Sequence, residues 1–241
     1  MAGDAPASVQ TPATYRFPHH LVGRINVVWS SEPGVDLHSR PAEVVRATTE
    51  AGSILSVPGP RNYPGAEAAA EDAFGIPGAY TFSGDRTNLT AKHGTLFVHL
   101  ASLSSTRDSV HALVCAYNFG LIPKLDEPKA GGYLGGSAYA VDATRSPDAI
   151  DPRQDANRVA PIDSGDRAPR FDAFEPWQVV YRSVRDDPRM ATCLSRGREI
   201  VRSHPAYRGQ VVTEDTDSVT AISPRPEQFP VLPQSPEWPP P

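Results

Sequence analysis

Thr95–Gly120 reads TLFVHLASLSSTRDSVHALVCAYNFG, and its interpretation decides the fold. In Thr95–Leu103, Leu96, Val98, Leu100 and Ser102 share one face at period two, and Phe97, His99, Ala101 and Leu103 share the other. Both faces are largely apolar, so the spacing predicts an interior strand packed on each side. Ser104-Ser105-Thr106-Arg107-Asp108 places a hydroxyl three residues before an acid, the arrangement of a capping box. Val110, Leu113, Val114 and Tyr117 then recur at i, i+3, i+4 and i+7, which predicts a helix ending at Gly120. A strand feeding a helix is the resulting expectation.

Three features of this stretch invite chemistry. Ser104 and Ser105 lie at the strand-to-helix turn, where hydrolases place a nucleophile, but the flanking glycines of that motif are replaced by Leu, Ser and Thr. Hydroxyls at a helix start serve more often as N-caps. His111 and Cys115 are four apart, as two metal ligands on a helix can be, yet no second ligand pair is near and free cysteine is commonly buried. His99 within a strand reads first as a hydrogen-bonded core histidine. The candidate catalytic residues are therefore His99, Ser104, Ser105 and His111, and no metal site is expected.

Outward from this centre, Leu21–Trp29 is rich in β-branched residues and predicts a strand. Ser39 and Pro41 open a helix with Val44, Ala47, Thr48 and Ala51 on one face, closed by Gly52. Ala66–Phe74 predicts a short alanine-rich helix and Ala79–Ser83 a short strand. Tyr133–Val141 predicts a strand weakened by Gly135 and Gly136. Asp142–Arg170 has few large apolar residues and reads as a long surface loop. Trp177–Val184 predicts a strand, Arg189–Arg196 a helix stopped at Gly197, and Arg198–Ser203 a further strand. Gln210–Thr213 and Ser218–Ile222 predict a hairpin.

The element order in the first half resembles the split βαβ arrangement of ferredoxin-like domains. That resemblance implies an α+β fold, a mainly antiparallel sheet with helices on one face, and the proline content adds long loops and a proline-rich tail. Residues 1–14 read as a flexible arm, 15–222 as a single domain with a small sub-lobe from 171 as an option, and 223–241 as an extended tail.

Composition narrows the function. The chain has 241 residues, 26 prolines and a formal net charge of -5, with Lys92, Lys124 and Lys129 scattered. Nucleic acid is disfavoured as a partner, because the phosphate backbone demands concentrated positive charge. No segment has the length or apolarity of a membrane span. The first residues lack the basic and apolar regions of a signal peptide, so cytoplasmic localisation is the default expectation, or an extracytoplasmic one if a leader was removed. Cys115 and Cys193 are compatible with one disulfide or with two thiols. No cofactor motif is present: there is no phosphate-binding loop, dinucleotide fingerprint or Cys-x-x-Cys.

The tail, PRPEQFPVLPQSPEWPPP, favours polyproline II and carries Phe229, Leu232 and Trp238. Those side chains either plug grooves on their own domain or dock on a protein partner. The first expectation for function is a non-enzymatic binding or assembly protein that contacts a partner through extended proline-rich termini. The alternative is a hydrolase or transferase with a His/Ser site around residues 99–111. A histidine in a pocket within reach of a hydroxyl or carboxylate marks the enzyme; a flat apolar patch, or tail aromatics outside the core, marks the binder.

Overall fold

The computed structural model describes residues 15–55, 62–70, 92–118, 121–123, 136–145, 167–169, 171–184, 190–203, 212–215, 218–221 and 231–238. Its centre is a mixed sheet built from β1 (Gly23–Ser31), β2 (Lys92–Ser105), β3 (Ser109–Tyr117), β5 (Gly136–Arg145) and β6 (Trp177–Ser183), in that spatial order. A short β4 (Leu121–Pro123) pairs with the start of β2. β1 runs parallel to β2, and the remaining pairs are antiparallel. The α+β class is as the sequence implies.

The segment expected to be a helix after residue 108 is strand β3, and this changes the architecture. Val110, Ala112 and Val114 face one apolar cluster, while Leu113, Cys115 and Tyr117 face another. A strand covered on both sides is apolar at every position, so helical spacing can be found in it by chance. The Ser/Thr/Asp run is a hairpin turn. Thr106 N donates to Ser109 O at 2.8 Å, and Thr106 Oγ1 accepts from the amides of Asp108 and Ser109 at 3.2 and 3.1 Å. Ser104 and Ser105 are thus strand residues rather than N-caps, paired with His111 and Val110. The crossover helix that a ferredoxin-like order needs at this place is β3 itself.

Helices pack on both faces of the sheet, not on one. α1 (His19–Val22) is a single turn leading into β1. α2 (Arg40–Glu50) begins after Ser39 with proline in its first turn, as expected. It continues into a π-helical turn, Ala51–Leu55, instead of stopping at Gly52. Its Val44, Val45 and Ala47 join Ile25, Val27, Leu96, Val98, Val141 and Val179 in the larger core. α3 (Ala66–Ala69) is shorter than its alanine run. α4 (Met190–Ser203) lies on the opposite face, where Cys193 packs with Phe97, Leu113, Cys115 and Tyr117.

α4 runs straight through Gly197 and through the residues expected to form a strand at 198–203. Gly197 is there for packing: a Cβ on it would lie 2.8 Å from Tyr117 Cε1. Tyr117 Oη also donates to Cys193 O at 2.6 Å. Cys115 and Cys193 form a disulfide between β3 and α4, with Cα atoms 5.3 Å apart. β7 (Val212–Asp215) and β8 (Ser218–Ala221) form the expected hairpin as a separate two-stranded sheet. The strand expected at Ala79–Ser83 lies outside the described residues. Among the described residues no helix is long and apolar enough to cross a membrane.

Candidate functional site

Polar side chains converge at several places among the described residues. The first is buried beneath the C-terminal segment. α2 carries Glu43, Arg46 and Glu50 at i, i+3 and i+7, and all three are buried. Residues 231–238 cross them as an extended strap along the outer edge of β1. Ser235 N donates to Val27 O at 3.0 Å, and Trp29 N donates to Ser235 O at 2.7 Å. Asn26 Nδ2 donates to Leu232 O at 2.7 Å, and Leu232 N donates to Thr95 Oγ1 at 2.9 Å. An edge strand offers unpaired amides and carbonyls, and the strap satisfies those of Val27 and Trp29.

The strap ends in a polar pocket. Glu50 is fully buried and accepts from Trp29 Nε1 at 2.9 Å, Tyr63 Oη at 2.5 Å, Trp238 Nε1 at 3.3 Å and Gln234 Nε2 at 3.4 Å. Two of these four donors come from the strap. Arg46 stacks its guanidinium 4.3 Å from the centre of the Trp238 ring and donates from Nη2 to Pro236 O at 2.7 Å. Tyr63 and Phe171 meet the same indole edge-on. Arg167 donates to Ile25 O and, at 3.1 Å, to Tyr63 Oη, and lies over Phe17. Burial pushes the Tyr63 and Tyr15 hydroxyls well above the usual tyrosine range, with Glu50 adding to the rise and Arg167 opposing it. Burial lowers Arg46, and Glu50 and Glu43 partly restore it. With four donors and two nearby guanidiniums Glu50 is not a lone buried charge, while Tyr15 Oη, Arg46 Nε and Arg167 Nη2 are buried without a hydrogen-bond partner among the described residues.

The second place is His99, 2% exposed. Its Nδ1 lies 2.9 Å from Ser30 Oγ and its Nε2 lies 3.1 Å from Glu32 Oε1. A carboxylate only accepts, so Nε2 carries the proton and Nδ1 accepts from Ser30. Both ring nitrogens are engaged, as expected of a core histidine. Ser30 and Glu32 are not legible as its partners from sequence alone, because Ser30 meets His99 through the β1–β2 register and Glu32 follows just beyond the end of β1.

The third place is an open groove of about 280 Å³ on the α4 face, beyond the helix. Ser104 on β2 faces His111 on β3, and His111 faces Asp142 on β5. His111 Nδ1 lies 2.8 Å from Asp142 Oδ1, and Arg182 Nη2 on β6 donates to Asp142 Oδ2 at 3.3 Å. Ser102 also lines the groove. The structure thus unites Ser104 with His111 and adds Asp142 and Arg182, which sequence reasoning did not select. It leaves Ser105 outside the lining residues and places His99 on its own hydrogen-bonded pair. Among the described residues no group of three or more His, Cys, Asp or Glu side chains could hold a metal ion.

Of the tail residues, Trp238 is 2% exposed and lies inside the larger core, not outside it as expected of a binder's tail; Leu232 packs partly buried against the smaller core, and Phe229 lies outside the described residues. Neither a family model, nor a curated protein, nor a solved structure matches this chain.

Proposed function

We propose that this chain is a binding and assembly protein whose connecting element is its proline-rich C-terminal strap, exchanged between two copies. The observation that supports this reading is the manner in which residues 231–238 are held. An extended segment pairs main chain to main chain with an open strand edge and drops one aromatic anchor, Trp238, into a polar pocket. That is how folded domains recognise extended peptides. Its own tail is the one sequence known to fit this slot, so the tail of a second copy is the natural occupant.

The contacts would be the same whichever copy supplies the strap, which is the condition for segment exchange. Nine residues, 222–230, join β8 to the strap. Fully extended they reach about 30 Å at roughly 3.3–3.6 Å per residue. Only a close pair of domains satisfies that length, so the product would be a dimer rather than a loose chain. A second cavity of about 300 Å³, lined by His19, Arg24, Ile25, Asn26 and Val231, flanks the start of the strap.

Light scattering on the full chain over a wide concentration series tests this. A dimer that grows with concentration and disappears when residues 224–241 are removed supports strap exchange. A full chain that stays monomeric throughout, or a dimer that survives the truncation, refutes it.

A further inference from the structure

We propose that the groove around His111 is a serine acyl-transfer site for small neutral esters, with Ser104 as nucleophile and His111 as base. The inference is independent of the strap. It rests on four groups that the sheet register brings into one cavity: Ser104, His111, Asp142 and Arg182.

The valences assign the roles. Asp142, as a carboxylate, can only accept, so His111 Nδ1 carries the proton and Nε2 presents a lone pair. Asp142 therefore positions the ring and fixes its tautomer, the part an acid plays beside a catalytic histidine. His111 is exposed and lines the cavity, so Nε2 is open to a reactant, unlike the engaged nitrogens of His99. Ser104 stands directly across the strand pair, where side chains on one face lie about 4.5–5.5 Å apart at Cβ. No hydrogen bond yet joins Ser104 Oγ to His111 among the described residues. Such bonds are often long in unliganded sites and tighten when the reactant arrives.

Arg182 supplies the remaining part. One of its nitrogens is bonded to Asp142, and nearly half of its side chain is accessible beside the groove. It braces the Asp142 carboxylate from β6, with β5 and β3 lying between it and Ser104. The Arg182–Asp142 pair is formally neutral, and the cavity is small, so a short neutral acyl ester fits better than a charged one.

The step balances without a cofactor. Ser104 Oγ bonds to the ester carbonyl carbon as its proton passes to His111 Nε2, and the carbonyl electron pair moves to the oxygen, which faces the open groove. The intermediate collapses, the carbon–alkoxy bond breaks, and the alcohol leaves with the proton from His111. Water, deprotonated by His111, then attacks the acyl-Ser104 ester; the bond from the acyl carbon to Ser104 Oγ breaks, His111 returns the proton to Oγ, and the acid is released. The net reaction is ester plus water to acid plus alcohol.

The full chain is incubated with a fluorophosphonate, and modified peptides are mapped by mass spectrometry; p-nitrophenyl acetate turnover is followed in parallel. Capture at Ser104 is expected, with loss of fluoride. Ser104→Ala should abolish capture, and His111→Gln should slow turnover at least ~100-fold, the scale of general base catalysis. Asp142→Asn should lower kcat with KM unchanged, as a positioning role requires. All three positions are solvent-accessible strand residues, so circular dichroism should remain that of the parent. No capture, capture at another serine, or turnover unaltered in Ser104→Ala overturns the assignment.

Discussion

Arg46 holds its guanidinium 4.3 Å from the centre of the Trp238 ring, although 192 residues separate them in the chain. A helix near the start of the domain is thereby closed by the end of the sequence. α2 is buried all round from Ala42 to Glu50 because the sheet covers one side and the strap helps cover the other. Stacking of this kind contributes about 2 kcal/mol when desolvated, and burial of the indole adds more.

Replacing Trp238 with Ala should therefore destabilise the domain by about 3–5 kcal/mol, the usual cost of truncating a buried Trp. Trp238→Phe keeps a ring over Arg46 but removes the Nε1–H that donates to Glu50. Its cost should be smaller, about 1.5–3 kcal/mol, the net contribution of one hydrogen bond to a charged group, because Glu50 Oε2 keeps Tyr63 Oη as a donor. Urea unfolding of the two variants should give that order. Equal costs would mean that the bond to Glu50 contributes nothing.

The Cys115–Cys193 bond closes a loop with a sequence separation of 78 residues. In the chain-entropy description that removes about 4–5 kcal/mol of unfolded-state freedom. Cys193→Ser should lower unfolding stability by about that amount, measured against the oxidised parent. Reduction of the parent should bring it to the same midpoint. α4 should suffer first, because Cys193 is the residue through which both the disulfide and the Tyr117 bond hold it.

Gly197→Ala sets two effects against each other. Alanine is favoured over glycine inside a helix by about 1 kcal/mol. The new Cβ would lie 2.8 and 3.1 Å from Tyr117 Cε1 and Cδ1, and overpacking of this kind costs about 1–3 kcal/mol. The ring cannot withdraw freely, since its hydroxyl is tied to Cys193 O. Net destabilisation is expected, and in a Tyr117→Leu background the same substitution should turn neutral or stabilising. A double-mutant cycle of thermal midpoints checks both signs.

What the sequence disclosed was set by how local each signal is. β1, β6 and the start of α2 were legible because alternation and an N-terminal proline act within a few residues. β3 was not, because α2 and α4 cover both its faces and leave no alternation to read. Gly197 looks like a helix stop in one dimension and is a contact for Tyr117 in three. His111 and Ser104 were visible as chemistry, but Asp142 joins them only through the β3–β5 register across 31 residues. The Glu50 pocket did leave a signal: charges at 43, 46 and 50 on one helix face, and a tail that carries a tryptophan. Only the strap's path connects the two.

Asp172 gives a pH test with a definite sign. Its Oδ1 accepts from the amides of Phe174 and Glu175 at 2.9 and 3.0 Å, and Gly65 leaves room for the carboxyl, since a Cβ there would lie 2.0 Å from Oδ1. Burial raises its pKa; the two amide bonds and Arg40 oppose the rise, and Glu175 adds to it. A raised value means that the folded state binds the proton more tightly than the unfolded chain. The stability associated with that proton is complete below the unfolded aspartate value, about 3.9, and is lost as pH climbs through the raised folded value. Asp172→Asn keeps an acceptor for both amides and removes the charge. The variant should therefore gain on the parent as pH rises from about 4 to 7 in urea unfolding. A difference that stays constant across the series would show that burial of this carboxylate carries no such cost.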